Sequence, residues 1–469
     1  MAVGIITGAQ GAPGGIGQTN RVSNSLFNEF NFIIPDWIPD MFDRYGRENY
    51  ALIMEILNKS TLEDFKTQTQ TFSHFEKGRS FSAGFVSANV TGVTAGAAVT
   101  FTLGTGSYWN SGTQTPFRLN EFVRIRSNGV LGRVTAINST TANAWTVTVT
   151  PAQTTQLFAS NATTTLSAGE SIELIGNIAA GEASGRMDSQ VPFIFRVDNT
   201  TTVIRDSAAI SDVARMNKTQ INFGGGDHYY YKFETTELNK RFLYYVENAC
   251  LEGIYVNNLG STLGTTGVIP QVLANGSSVN YLTGSGTITD LQNLTRVFDY
   301  NGGPSEYHAL QDIKQRQDVN NTLFGKYNNG AIRYATVGGT EEAAVSYGFQ
   351  SFSTDTYTLH FFRYKPFSAS SVFGYTPNPT LGSFRDNFGL FVPQGAVPDA
   401  QNQTLRPNMQ WVYQEMPDYP GQKMYTWETG AFSENGKTDT AEKVLNQICY
   451  VGARCIAPQQ FAIFQGVAS

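Results

Sequence analysis

Metal or nucleophile chemistry would have to come first from the four histidines and three cysteines of this 469-residue sequence. His74, His228, His308 and His360 lie far apart, with no HxH, HExxH or HxxxH spacing. Zinc sites are built from closely spaced His and Cys ligands. Cys449 and Cys455 fall inside one predicted strand and Cys250 stands alone, an odd count that frames no disulfide set. Neither a metal nor a cofactor is expected.

Two stretches come nearer to chemistry. In "GGGDHYYYKF" the pair Asp227 and His228 follows glycines and reads as a loop entering a strand. In "GAFSENGKT" the residues Gly430, Gly436, Lys437 and Thr438 follow a predicted strand, as in a phosphate-binding loop. That loop needs four residues between its glycines, and here one more intervenes, which turns the N–H groups away from a common phosphate nest. A polar loop between two strands is the expectation. No GxSxG elbow occurs. The adjacent carboxylates Glu341 and Glu342 would point to opposite faces of a strand and cannot act as an acid–base pair. No enzyme is expected.

Composition narrows the classes further. Charged residues make up 15% of the chain and aromatics 13%, where about 25% charged is ordinary. The cores of protein interfaces are likewise poor in charge and rich in aromatics and Met, so large permanent contacts are favoured. Net charge is −6 without a basic cluster, which argues against gripping nucleic acid through its phosphates. No apolar run reaches the roughly 18 residues of a membrane span, and no membrane partner is expected. The opening "MAVGIITGAQGAPGGIGQTN" is glycine-rich and carries no Asp, Glu, Lys or Arg. It lacks the charged start and apolar run of a secretion signal, and the chain reads as made in the cytoplasm. A segment of this kind gains order only on another surface, and a second copy of the chain is the expected surface.

The elements follow in order. Residues 1–71 read as an arm, with a helix over about 48–57 and with Trp37, Met41 and Phe42 as anchors. From Phe72 the texture becomes β. Val99, Phe101 and Leu103 alternate with threonines, as do Trp145, Val147 and Val149. Asn128-Gly129 marks a hairpin, and a small barrel or sandwich is predicted over about 85–182. The stripe Leu238, Phe242, Tyr245, Ala249 and Cys250 predicts a long helix over about 236–259, capped by Thr235 or Thr236 and followed by Gly260. Thr287 and Asp290 suggest a capping box ahead of Leu291, Leu294 and Phe298. A strand near 307–310, a helix near 312–323, a strand from Tyr357, and terminal strands in "KMYTWETGAF" and "ICYVGARCIAPQQFAIFQG" complete the reading.

This order of parts resembles the major capsid proteins of tailed double-stranded DNA phages, the Hong Kong 97 type of fold, and is most similar to those of crAss-like phages. The closing "ARCIAPQQFAIFQG" is similar to the last strand pair of that family. The resemblance implies an α+β fold: an N-terminal arm (1–71), an extended β loop (72–191) carrying an inserted all-β module (about 85–182), a peripheral domain with a spine helix (192–285, closed by 405–469), and an axial domain (286–404). It implies a structural subunit that assembles with itself into pentamers and hexamers of an icosahedral shell around phage DNA. Portal, scaffolding and decoration proteins would be its other partners, and the virion, assembled in the host cytoplasm, its location. Contacts between subunits are expected at Ile5, Ile6, Trp37, Met41, Phe42, Phe72, Phe75 and Phe81.

A different role for the same β-rich sequence is a phage tail or surface adhesin whose 85–182 module binds glycans on exposed Trp109 and Trp145. A polysaccharide-cleaving enzyme on a repeated β framework is disfavoured, because no repeat of 20–50 residues is present.

Overall fold

The computed structural model describes residues 57, 62–78, 83–104, 115, 117–142, 144–161, 163–177, 194–216, 230–255, 264–282, 288–327, 351–354, 356–368, 387–398, 405–416, 418–431, 436–437 and 439–467. Within them the fold is mixed, with more strand than helix.

Two sheets share one core. The first is organised by the long strand Glu442–Cys455. Thr202–Ser211 runs antiparallel along one of its edges. Met409–Gln414 and Met424–Gly430 divide the other edge between them, and Leu62–Thr67 adds in parallel to Met409–Gln414. The second sheet has the order Ser277–Leu282, Ala462–Val467, Phe388–Pro393, Glu306–Gln311, Tyr357–Arg363, Ser351–Thr354. Its central strand Phe388–Pro393 is buried at every position, as an apolar run covered on both faces must be.

One face of this second sheet meets the first sheet and the long helix. Leu390 and Ile463 pack there with Trp411, Val451, Phe242 and Cys250. The other face is covered by the helices Ile288–Tyr300 and Ile313–Tyr327, through Leu294, Phe298 and Leu323. Phe298 stacks on Tyr307 with ring centroids 3.7 Å apart. The sheets do not follow the order of regions along the chain. Leu62–Thr67, read as part of an arm, is a strand of the first sheet. The closing strand Ala462–Val467, read with the tail, sits in the second sheet beside Phe388–Pro393. Long-range pairing of this kind leaves no local mark.

The long helix spans Tyr230–Glu252 and corrects the 236–259 expectation at both ends. Thr235 and Thr236 lie inside it, so neither is its cap. Gly253 takes the terminating place assigned to Gly260. The Gly253 N–H donates to Ala249 O at 3.0 Å, and a Cβ there would overlap that oxygen and approach Thr265 O at 2.7 Å. Only glycine lets the returning chain pass so close. Tyr245 is exposed and Val246 is turned inward instead, because positions 238, 242, 246 and 250 follow the helical repeat more closely. Of the expected helix over 48–57 only Leu57 is described, buried in the shared core. Thr287 also lies outside the described residues.

The β module is a closed barrel. Its strands run in the order Gly84–Phe85, Ser171–Asn177, Glu121–Ile125, Leu131–Asn138, Thr146–Pro151, Val99–Thr102. The ends of this order meet at the antiparallel bridge Val86–Leu103. Ser87 N donates to Thr102 O at 2.9 Å, and Gly104 N to Phe85 O at 2.7 Å. Closure removes the exposed edges that an open sheet would present. The predicted Asn-Gly hairpin is present, with Gly129 at φ 73°. The barrel has its own core, with Phe101, Val123, Val149, Phe158 and Ile172 fully enclosed and separate from that of the body.

Candidate assembly surfaces

A two-stranded ribbon joins barrel and body. Thr71–Lys77 pairs antiparallel with Ile194–Thr200 in register from Thr71–Thr200 to Lys77–Ile194. Strand alternation gives the ribbon two unlike faces. The inner face is fastened to the body. Phe72 is buried, with its ring edge over Gly452, where a Cβ would come within 2.8 Å. The Asn199 side chain donates to Thr266 O at 2.8 Å and Ala453 O at 2.6 Å. Glu76 Oε1 lies 2.9 Å from His74 Nε2 and accepts the Ala457 N–H at 2.8 Å.

The outer face is tied to the body at the ribbon's root, where the Thr200 hydroxyl donates to Gly264 O at 2.8 Å, and its far half is bare. Phe75 is 71% exposed and Ile194 is 60% exposed. The same face carries Lys77, opposite Ile194 in register, and an exposed ion pair, Arg196–Asp198 at 2.5 Å, of a kind that contributes at most about 1 kcal/mol. Of the eight expected contact residues, Phe75 is displayed and Phe72 is packed inside its own chain. Ile5, Ile6, Trp37, Met41, Phe42 and Phe81 lie outside the described residues. Sequence reasoning missed Ile194, which faces the same side as Arg196 and Asp198 by strand alternation.

The barrel surface is polar and threonine-rich. Thr100 and Thr148 hydroxyls lie 2.8 Å apart across neighbouring strands, and Thr135 donates to Thr148 O at 3.2 Å. Trp145 packs half-buried against the barrel core, which removes it as an exposed stacking platform. Trp109 lies outside the described residues.

The described residues hold no group of three or more His, Cys, Asp or Glu placed to bind a metal ion. All three cysteines are free and buried. Burial pushes the Cys449 thiol up to about 12 and holds Cys250 and Cys455 well above the ordinary range, so none is a ready nucleophile. His308 and His360 sit opposite each other on parallel strands, with ring centroids 5.5 Å apart. Burial, and then the neighbouring His360, lowers the pKa of His308. The segment with Gly430 and Gly436 connects Met424–Gly430 to Glu442–Cys455, with Gly430 N donating to Gly436 O at 2.9 Å. It is the strand-connecting loop that its spacing implied. Asp227, His228, Glu341 and Glu342 lie outside the described residues. Among the described residues no helix is long and apolar enough to cross a membrane.

No family model matches this chain. No curated protein matches it either. Solved structures do. A structure from Mycobacterium phage Adephagia is similar over 95% of this chain and 99% of its own, at 7% identity and a TM-score of 0.41. One from Gordonia phage Cozz covers 63% of this chain and 78% of its own, at 12% identity and a TM-score of 0.38. The capsid structure of the cyanophage P-SCSP1u covers 63% and 81%, at 11% identity and a TM-score of 0.35. In each of these likenesses the identity is 12% or lower and the TM-score is below 0.5.

Proposed function

We propose that this chain is the major capsid protein of a tailed double-stranded DNA phage, of Hong Kong 97 type and nearest to crAss-like phages. Copies of it assemble into the pentamers and hexamers of an icosahedral shell. The observation that carries this reading is the ribbon. It is bolted to the body on one face, bares Phe75 and Ile194 on the other, and leads into a barrel with a separate core. A lone two-stranded ribbon is marginal in water, and uncovered aromatic and branched residues on it suit a surface completed by another copy. Closed symmetric assembly then uses the same patch on every subunit.

In this reading residues 1–71 form an arm whose end adds the strand Leu62–Thr67 to the first sheet, and 72–191 form an extended loop. Residues 192–285 and 405–469 form the peripheral part around the long helix, and 286–404 the axial part. An acidic chain without a basic cluster encloses DNA while leaving it free to move. Portal, scaffolding and decoration proteins complete the particle, which forms in the host cytoplasm. The test is negative-stain imaging of the purified full-length chain, alone and with its scaffold. Shell-sized particles support the reading. A compact monomer, or the trimers of an adhesin, would sink it.

A further inference from the structure

The hairpin that joins the barrel strands Glu121–Ile125 and Leu131–Asn138 faces the body across an open cleft of about 730 Å³. Arg126, in that hairpin, forms one wall. Its backbone N–H donates to Ser171 O at 3.0 Å, and its side chain is 65% exposed. The opposite wall is the last turn of the helix Ile288–Tyr300, together with Asn301 and Tyr357. Tyr300 stands there 57% exposed, whereas Phe298, two positions earlier, is sealed. The Tyr357 hydroxyl donates to Asp299 Oδ1 at 3.4 Å, and Asn301 Nδ2 donates to the Ser277 hydroxyl at 3.0 Å. The carboxylate and the amide are thereby both held in place.

The lining narrows the class of ligand. Among the described lining residues only Val297 lacks a hydrogen-bonding side chain, so an apolar molecule finds little matching surface. An anion fits poorly. The last turn of a helix carries the negative end of its dipole, Asp299 lies in that turn, and Arg126 has Glu173 3.9 Å away. Arg296 is turned toward Asn293, donating through Nη1 to Oδ1 at 3.2 Å. What the cleft offers is an exposed aromatic ring beside two fixed acceptors, Asp299 and Asn301, with a guanidinium donor across from them. A saccharide matches that set, with C–H groups for the electron-rich face of tyrosine and hydroxyls that both donate and accept. We propose that the cleft between barrel and body binds a neutral oligosaccharide. One sugar ring stacks on Tyr300, and its hydroxyls donate to Asp299 and Asn301 and accept from Arg126. The site is separate from the outer face of the ribbon and does not rest on the capsid reading.

The test measures binding of maltotriose, cellotriose and triacetylchitotriose to the full-length chain by calorimetry and saturation-transfer NMR, with trigalacturonate and pyrophosphate as anionic counterparts. At least one neutral trisaccharide should bind, and more tightly than either anion. Tyr300→Ala should weaken that binding about tenfold or more, while Tyr300→Phe, which keeps the ring, should stay within about twofold of wild type. Arg126→Ala, on the other wall, should weaken it about tenfold through the loss of one charge-assisted hydrogen bond. Both side chains are exposed, so the unfolding midpoints should match wild type.

If none of the three sugars binds, the proposal fails while the capsid reading stands. Binding that survives Tyr300→Ala places the sugar elsewhere and also overturns it, as does tighter binding of either anion. If Tyr300→Ala does not fold, Arg126→Ala decides alone, because Arg126 belongs to the barrel with its separate core. Unchanged affinity in that variant overturns the proposal.

Discussion

Glu76 Oε1 accepts the backbone N–H of Ala457 at 2.8 Å, joining residues 381 positions apart in the chain. Ala457 has φ 54° and sits in the turn between the long strand and the closing strand, so this bond holds the barrel-side end of the ribbon to the point where the two sheets connect. Replacing Glu76 with Ala leaves that N–H without its acceptor and His74 without its partner. The expected cost is about 1–3 kcal/mol. Glu76→Gln keeps an oxygen in place and should cost less. Urea unfolding of both variants, with hydrogen exchange across 71–77 and 194–200, checks the order.

Gly452 sets how closely the ribbon lies. A Cβ there would stand 2.8 Å from Phe72 Cε1 and 2.9 Å from Thr200 O, and the second of these is backbone that cannot swing aside. Gly452→Ala should destabilise by about 1–3 kcal/mol as an overpacking change. Combining it with Phe72→Leu should give less than the sum of the two single effects, because they share one contact. Additive effects in a double-mutant cycle would contradict the packing described.

The barrel should fold by itself. Its strands close through Val86–Leu103, and its enclosed residues form a cluster distinct from those of the body. An isolated 83–178 fragment is expected to unfold cooperatively. Phe158→Ala, at a fully buried position, should cost about 3–5 kcal/mol in the fragment. The same change in the full chain should shift one calorimetric transition and leave the body's transition in place.

How much of this was legible in the sequence divides by the range of the forces involved. The barrel strands could be read because Val147 and Val149 alternate with threonines and Asn128-Gly129 supplies a local turn. The helix Ile288–Tyr300 could be read because Leu291, Leu294 and Phe298 repeat on one face. The ends of Tyr230–Glu252 could not, since its stop depends on Thr265 crowding Gly253, a contact made by folding. Of the candidate surface, Phe75 was named among the expected contacts together with Phe72 and Phe81, without a feature that separated the three. Phe72, three positions earlier, falls on the opposite face of the strand, and Gly452 and Arg454, distant in sequence, decide that this face is the inward one.

His308 on the acid side and the buried cysteines on the alkaline side bracket the pH range of the fold. His308 is lowered by burial and by His360, with Glu306 and Gln394 acting in the opposite direction and Phe362 beside the ring. A folded pKa below the unfolded value of about 6.5 means that the unfolded chain binds the extra proton. Stability should therefore fall as pH drops below that value, and less so in His308→Gln. At the alkaline end Cys449 is raised from 9.0 to about 12. Its contribution is complete below pH 9 and is lost as pH rises toward 12. Chemical unfolding at a series of pH values, with Cys449→Ala as the control, should show both slopes. A flat profile between pH 5 and 6.5 would contradict the burial of His308.

Phe75 and Ile194 test the assembly reading without touching the fold. Both lie on the ribbon's outer face, 71% and 60% exposed, and substitutions at exposed positions usually change stability by less than about 0.5 kcal/mol. Phe75→Ser should accordingly leave the subunit's unfolding midpoint within error. If a second copy covers this face, the aromatic contributes about 1.5–3 kcal/mol at each contact through area removed from water, and a shell repeats that contact over every subunit. A loss that is small for one pair then becomes a sharp rise in the concentration needed for particles, with Ile194→Ser acting in the same direction and the double variant further still. Light scattering against protein concentration reads this directly. Phe75→Ser and Ile194→Ser that assemble like wild type would place the intersubunit contact elsewhere, and the ribbon would be only a tether for the barrel.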